Sequence, residues 1–447
     1  MNKSIRCCLL MLLSLSVTAA FGQTTPPSEA AADPQAASGS GADRPAQADS
    51  SEVYIRPGTP DAAPSYAPAL DGSGLILMDH SVRSRLLVGA EFSGGYDTHP
   101  EEIPSSPGSA LSVISPFVGF QVNRENVQYV FQYLPTFTRY TEDRYQGGSL
   151  QSGMVNVSGA AGERWNWDLN GVGMHGQDSV RLLAPQPTVV VGDVPGTSSS
   201  AAAFRGDLGT VTYIDFDSKL SYRLREHDTV SAVLTNSYGS SESSSVPGNN
   251  IVAALTGGYS HDVSARMRWM GYTQVARYYG SLHCWSYGGG LGFLWRPGER
   301  STLDVSAGPQ FDSPSCAAQQ NVSYRVAYSA RLTERSQAYL TAQRQMAGVY
   351  VGPALWESSV TAGYQYLVTS KDTLGVNFGY VDETLYNEAN AYKGTYVGAA
   401  YNHKLPRNLA AGFSYRYFNG GLTGSTVNRS TALFSLAWLP TGAKIFQ

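Results

Sequence analysis

No run of eighteen or more apolar residues occurs in the 447-residue chain, although 42% of it is hydrophobic and only 15% charged. That absence excludes a membrane protein built of helices, which need about 20 such residues per crossing. Cysteine is scarce: there are four, and Cys7 and Cys8 fall in an N-terminal leader. Neither a His-x-x-x-His nor a Cys-x-x-Cys spacing occurs. The seven histidines, His80, His99, His175, His227, His261, His283 and His403, are scattered, so no metal site and no cofactor are indicated. No Ser, His and Asp group converges as a hydrolytic site would require, so the chain does not read as an enzyme. An excess of basic residues is also missing, with 31 Lys and Arg against 35 Asp and Glu, and nothing in that balance suggests a nucleic-acid partner.

The first 22 residues read as a secretory signal peptide. Lys3 and Arg6 precede an apolar core from Cys7 to Leu15, and Ala20-Phe21-Gly22 forms a small-x-small cleavage site. Residues 23–80 hold eight acidic residues and two basic ones and are rich in Pro, Ala and Ser. A segment so poor in large apolar residues does not offset the entropy of ordering, so it is expected to be a disordered periplasmic arm. Within it, Gly74 to Asp79, with Leu75, Ile76, Leu77 and Met78, is a short apolar piece suited to docking on the barrel mouth or to forming a short strand.

What the chain does have is glycine and tyrosine, 47 and 28 residues, with 15 phenylalanines. The segment from Cys284 to Asp312 shows how they are used. Trp285, Tyr287, Gly289, Leu291, Phe293 and Trp295 alternate with Ser286, Gly288, Gly290, Gly292 and Leu294. A two-residue period sends successive side chains to opposite faces of a strand, giving one oily face about ten residues long with aromatics at both ends. That is the length of a tilted membrane-spanning strand whose end aromatics sit at the two interfaces. A tight charged turn, Arg296-Pro297-Gly298-Glu299-Arg300, leads into Leu303, Val305 and Ala307, which alternate with Thr302, Asp304 and Ser306 on the return.

The same hairpin recurs along residues 81–447. Short charged connections fall at Asn123 to Asn126, Gly162 to Arg164, Arg225 to Asp228, Asp262 to Ala265, Pro297 to Arg300, Thr333 to Ser336, Thr369 to Asp372 and Pro406 to Asn408. The intervening connections are longer and rich in Gly, Ser and Pro, notably Gln177 to Phe204. Short turns on one side and long loops on the other predict an all-β fold, a transmembrane antiparallel β-barrel of about 18 strands with short periplasmic turns and long extracellular loops. Sixteen strands remain open, because Gly147 to Ala160 and the region around Asp215 are weakly patterned. The expected organisation is thus signal peptide 1–22, acidic arm 23–80 and outer-membrane barrel 81–447, surrounded by outer-membrane lipid and inserted by the barrel-assembly machinery.

The segment Gly89-Ala90-Glu91-Phe92-Ser93-Gly94-Gly95-Tyr96-Asp97-Thr98-His99-Pro100 resembles the opening strand of a broad group of bacterial outer-membrane β-barrels of the porin kind. In these the first strand ends in G-Y-D-[STD]-N-P, and His99 here replaces the usual Asn. The resemblance implies a barrel and, through the loci in which many members are found, a link to exopolysaccharide or capsule export. The last strand, with Ala432, Phe434, Leu436 and Trp438 on one face, is similar to the C-terminal signal read by barrel-assembly machinery, although the chain continues to Gln447.

Cys284 opens a strand on the long-loop side and Cys316 lies in the next long loop. An oxidising export route then predicts a disulfide between them, worth about 3 kcal/mol in the chain-entropy view. Arg266, Arg268, Arg325, Arg331 and Arg416, with Glu91, Asp168, Asp215, Asp217 and Asp304, fall on the polar phase of their strands. They are candidate lumen charges, able either to tune ion selectivity or to pair across the lumen and stiffen the wall. Tyr213 and Tyr272 share that phase and are candidates for stacking on sugars. Two functions follow as expectations. One is a channel for passive or substrate-biased diffusion of small hydrophilic solutes, with 177–204 folded inward as a constriction. The other is a non-conducting component of exopolysaccharide export or surface assembly that docks a periplasmic partner through residues 23–80.

Overall fold

The computed structural model describes residues 84–447, apart from 101–106, 125, 146, 178–209, 243–247, 281–282, 299, 314–315, 317–319, 348–354, 385–391, 423–425 and 439–447. The leader, the acidic arm, the bulk of the 177–204 connection and the C-terminal tail therefore lie outside the described residues.

Eighteen strands follow one another: β1 (Ser84–Asp97), β2 (Ser109–Arg124), β3 (Val127–Tyr140), β4 (Gly148–Ala161), β5 (Trp165–Gln177), β6 (Thr210–Arg225), β7 (Asp228–Ser241), β8 (Gly248–Ser264), β9 (Met267–Gly280), β10 (Cys284–Gly298), β11 (Ser301–Asp312), β12 (Gln320–Thr333), β13 (Ser336–Ala347), β14 (Leu355–Leu367), β15 (Asp372–Thr384), β16 (Tyr392–Leu405), β17 (Leu409–Leu422) and β18 (Val427–Trp438). Each pairs antiparallel with its neighbours in sequence, and β1 also pairs with β18, from Ala90↔Trp438 to Asp97↔Thr431. The sheet therefore closes into a ring and leaves no edge strand unpaired, which is the condition for a β-structure to live in lipid. Eighteen strands resolve the count left open between sixteen and eighteen. The two weakly patterned regions are β4 and β6, each hydrogen-bonded on both sides.

All eight short charged connections join strands as the sequence reading expects. Pairing slips by one residue at four of them, between Arg223 and Arg225, Asp262 and Ser264, Trp295 and Gly298, and Arg331 and Thr333. Such bulges add twist where the chain must reverse. In the three-residue β16–β17 turn, Arg407 and Asn408 both have positive φ, 63° and 61°, left-handed values that asparagine tolerates well.

The two faces of the wall differ as the alternation requires. Outward side chains include Phe92, Phe131, Leu255, Trp269, Trp285, Tyr287, Leu291, Trp295, Phe378, Phe434 and Trp438, all strongly exposed, with Leu291 at 70%. Inward positions carry small or polar groups: Ser115, Gln121, Thr136, Ser152, Asn156, Thr235, Thr256, Asn377 and Ser414 are buried. A soluble protein would not present so wide an apolar outer surface around a polar interior, whereas a membrane barrel must.

Close approach of strands is bridged repeatedly by an aromatic ring lying over a cross-strand glycine. Tyr339 pairs with Gly363, Tyr396 with Gly379, and Tyr272 with Gly290. In the first two pairs the space a Cβ would fill is taken by the ring, and at Gly290 the Tyr272 Oη stands 2.7 Å from that position. The rings cover backbone that glycine leaves bare, a device that restores packing lost with the side chain.

At the short-turn rim one polar cluster occurs twice. The Tyr259 hydroxyl donates to Asp228 Oδ1 at 2.6 Å, and His261 Nδ1 lies 2.8 Å from the same oxygen. Tyr401 and His403 hold Asp372 Oδ1 in the same way, both at 2.6 Å. Each cluster ties the first residue of one strand to the closing residues of the next strand, at the level where amphipathic side chains meet the membrane surface.

Candidate functional site

The inward face of the ring is the candidate site. On β5 and β6 it gathers three of the expected lumen acids. Register places Asn170 opposite Asp217 and Val172 opposite Asp215, with Asp168 opposite Lys219 on the same face. Asp215 and Asp217 are 4% and 3% exposed. Ser237 donates its hydroxyl to Asp215 Oδ1 and Thr235 donates to Asp217 Oδ1, while Asn156 Nδ2 donates to Asp168 Oδ2 at 3.4 Å and Asn170 also donates to Asp168. These partners come from β4, β5 and β7, so four consecutive strands build one acidic, amide- and hydroxyl-braced panel. Asp217 Oδ2 is buried and makes no hydrogen bond among the described residues.

Glu91 lies apart from this panel, on β1. Ser93 Oγ donates to its Oε1 at 3.1 Å, and Oε2 has no partner among the described residues. Ser115 stands opposite it on β2 and hydrogen-bonds Thr136 of β3 at 3.2 Å. The carboxylate is therefore set into a hydroxyl-lined patch of wall.

The cations are distributed differently. Arg325 on β12 and Arg416 on β17 fall on the inward phase of their strands, since Tyr324, Tyr328, Tyr415 and Tyr417 on the opposite phase are exposed outward. Arg331 follows the same phase at the short-turn end, where it is exposed. Arg268 is matched by Asp262 across the β8–β9 hairpin, Nη2 to Oδ2 at 3.2 Å, and acts there as wall bracing. Asp304 faces inward on β11, level with Ala327 of β12. Arg266 departs from expectation: it lies in the turn between β8 and β9 and is exposed. It continues the parity of Arg268, but the strand has already ended and the pairing has slipped at Asp262 and Ser264.

Tyr272 lies against the glycine-lined stretch of β10, and Tyr213 stands beside the acidic panel, opposite Gly239. The Cys284–Cys316 disulfide is formed, with Cα atoms 5.3 Å apart. Both sulfurs sit in a buried apolar cluster with Val252, Ala254, Ala276, Tyr278, Met346 and Trp356. Trp356 Nε1 donates to Asp312 Oδ2 at 2.9 Å, which fixes the indole at the long-connection end of the barrel.

Arg429, which the sequence pattern did not single out, and Asp97, read there only as part of the first-strand segment, form the most buried ion pair among the described residues. Arg429 of β18 and Asp97 of β1 meet with side chains 3% and 0% exposed, Nη2 to Oδ2 at 2.6 Å, and Tyr140 of β3 adds a hydroxyl at 3.3 Å. Asp97 belongs to the Gly95-Tyr96-Asp97-Thr98 segment. Gly95 lies against the Ala432 carbonyl where no Cβ would fit, and the Thr98 hydroxyl accepts from the Ser430 amide at 2.8 Å. The whole segment therefore stitches the first strand to the last. Among the described residues no three metal-ligating side chains converge.

An apolar outer band, a ring without edges and a polar, charged interior define a transmembrane β-barrel. No family model matches the chain, and no curated protein matches it in sequence. Solved structures do. The chain is similar to a BenF-like porin from Pseudomonas fluorescens Pf-5, with 8% identity, a TM-score of 0.46, and coverage of 80% of this chain and 98% of that one. It is similar also to Pseudomonas aeruginosa OpdQ, at 9% identity, TM-score 0.42 and coverage of 80% and 97%. A third is P. aeruginosa OccK2 (OpdF) in complex with glucuronate, at 10% identity, TM-score 0.44 and coverage of 80% and 98%.

Proposed function

We propose that the protein is an outer-membrane channel for the diffusion of small hydrophilic solutes. The observation that carries this reading is the asymmetry of the wall: a closed ring of eighteen strands whose outward phase is apolar and whose inward phase bears Glu91, Asp168, Asp215, Asp217, Asp304, Arg325 and Arg416. A barrel of this strand number encloses an aqueous lumen unless a loop fills it. Charged and hydroxyl groups on the inside suit a wall that polar solutes or water pass, besides the bracing they give one another. Three of the carboxylates gather on β5 and β6, while Glu91, Asp304, Arg325 and Arg416 are spread over β1, β11, β12 and β17. A solute in the lumen thus meets charges of both signs, which tune passage without strong preference for one sign of ion. The test is liposome swelling with the purified chain in solutions of graded neutral sugars and amino acids. Swelling that falls with solute size supports the channel, and liposomes that stay impermeable to every solute overturn it.

The exopolysaccharide-associated reading rests on residues 89–100 alone. The seam contacts of Gly95, Asp97 and Thr98 supply a structural reason for that segment, so no separate observation favours export over diffusion. A periplasmic partner for residues 23–80 remains part of the proposal only as the use to which an acidic arm is suited, tested by co-purification with and without that segment.

A further inference from the structure

We propose that the outer face around Arg277 binds the phosphate group of a lipid in the leaflet on the long-connection side of the membrane. The inference rests on the membrane reading above and concerns the opposite face of the wall from the lumen.

Arg277 lies on β9 on the same phase as Val275 and Trp269, both exposed outward. Its cross-strand neighbours are Ala253 of β8 and Trp285 of β10. The guanidinium carbon stands 4.4 Å from the centre of the Tyr279 ring and 4.9 Å from that of Trp285. His283 meets Tyr279 edge-on at 6.4 Å. The cation is therefore held between two aromatic faces, at the level of the loop-side aromatic girdle that Trp285 begins.

What is missing is an anion. Among the described residues the Arg277 side chain forms no ion pair and no hydrogen bond, whereas two cations toward the same rim are matched. Lys393 pairs with Asp382 at 3.4 Å and Arg429 with Asp97. The groups surrounding Arg277 on the outer face, Ala253, Val275, Tyr279, Trp285 and Tyr287, carry no charge. Cation–π contact attracts the flat face of a guanidinium but leaves its edge donors free, and that planar fork of N–H groups matches two oxygens of a phosphate. An arginine turned toward lipid costs about 2–4 kcal/mol at the bilayer midplane and much less near the interface. A guanidinium fixed at the interface with its donors free is thus suited to the phosphate of a lipid headgroup.

The surface on the membrane side of Arg277 argues for a lipid over a free anion. Leu255 opposes Val275, which in turn opposes Tyr287, and Leu291 lies two positions further along the same face of β10. These exposed apolar groups continue the site toward the bilayer centre. An acyl chain covers them when the phosphate is engaged, and inorganic phosphate does not.

The test uses the purified full-length barrel, stripped of endogenous lipid in detergent, with binding measured by native mass spectrometry and titration. The probe is a bisphosphorylated, acylated diglucosamine lipid, compared with the same lipid after removal of its phosphates. Wild type should bind the phosphorylated probe at least about tenfold more tightly. Arg277→Gln should abolish that preference, and Arg277→Lys should keep part of it, because a point charge attracts phosphate without the fork. Equal binding of both probes by wild type overturns the proposal even if the Gln variant fails to fold. So does an unchanged preference in a folded Arg277→Gln. Displacement of the lipid by millimolar inorganic phosphate would show a simple anion site and overturn the lipid assignment. Solute permeability of Arg277→Gln should equal that of wild type, so failure here is distinguishable from failure of the channel reading.

Discussion

Arg429 and Asp97, 332 positions apart in the chain, form a buried ion pair with two contacts from Arg429 Nε at 3.1 Å and one from Nη2 at 2.6 Å. They join the last strand to the first at the long-connection end of the seam. Every other strand pair is joined by a connection in the chain, whereas β1 and β18 meet without one, through their ladder and side-chain contacts that include this ion pair and the Thr98–Ser430 bonds. A charge-assisted, multiply bonded pair at that position contributes directionality that side-by-side packing lacks.

Removing one member leaves the other charge buried without its counterion. Arg429→Ala should destabilise the barrel by about 3–5 kcal/mol, and Asp97→Asn by a comparable amount. The measurement is the temperature at which the folded, fast-migrating band disappears on unheated denaturing gels. An unchanged transition in both variants would mean that the seam is held by its backbone ladder alone.

The disulfide makes a separate prediction. Cys284→Ser with Cys316→Ser opens a loop of separation 32 and should cost about 3 kcal/mol. The same loss should appear in wild type on reduction. The loss should be confined to the long-connection end, where Trp356, Met346 and Tyr278 pack on the bond, and limited proteolysis should find new cleavage between Asp312 and Gln320. Alkylation of both cysteines in unreduced protein would contradict the pairing.

Glycine beneath a tyrosine ring is required by space at the lumen wall. Gly363→Val places methyl groups where the Tyr339 ring lies and should cost about 1–3 kcal/mol as overpacking. Gly375→Val, where nothing stands within 4 Å of the added Cβ, should cost far less. Refolding yields of the two variants side by side test the difference, and equal losses would remove the role assigned to the ring.

Arg325 tests the inner field. Its Nε is buried and makes no hydrogen bond among the described residues, so Arg325→Gln removes a lumen charge with little loss of bracing. The reversal potential under a salt gradient should shift toward cation preference, on the order of twofold in permeability ratio. A variant with unaltered reversal potential would place Arg325 outside the conducting path.

The parts of this architecture that are periodic were legible in the sequence. The alternation from Trp285 to Trp295 needs only the two-residue pleat, and the eight charged turns mark reversals by their chemistry. Cys284 and Cys316 could be paired because each lies next to a reversal on the same side of the wall. Parity misled at Arg266, where the strand had already ended. The Arg429–Asp97 pair was hidden for another reason: a contact over 332 positions depends on ring closure, which no local pattern encodes, and Asp97 read as part of a terminal motif. The grouping of Asp168, Asp215 and Asp217 was half visible, since all three share the inward phase. The bracing by Asn156, Thr235 and Ser237 depends on interstrand register.

Single-channel recording in a planar bilayer tests the central claim most directly. Folded, purified protein should produce discrete current steps, linear in voltage near zero and scaling with bulk salt concentration. A preparation that is demonstrably folded and inserted yet passes no current at any voltage, also after deletion of residues 178–203, would contradict a conducting lumen.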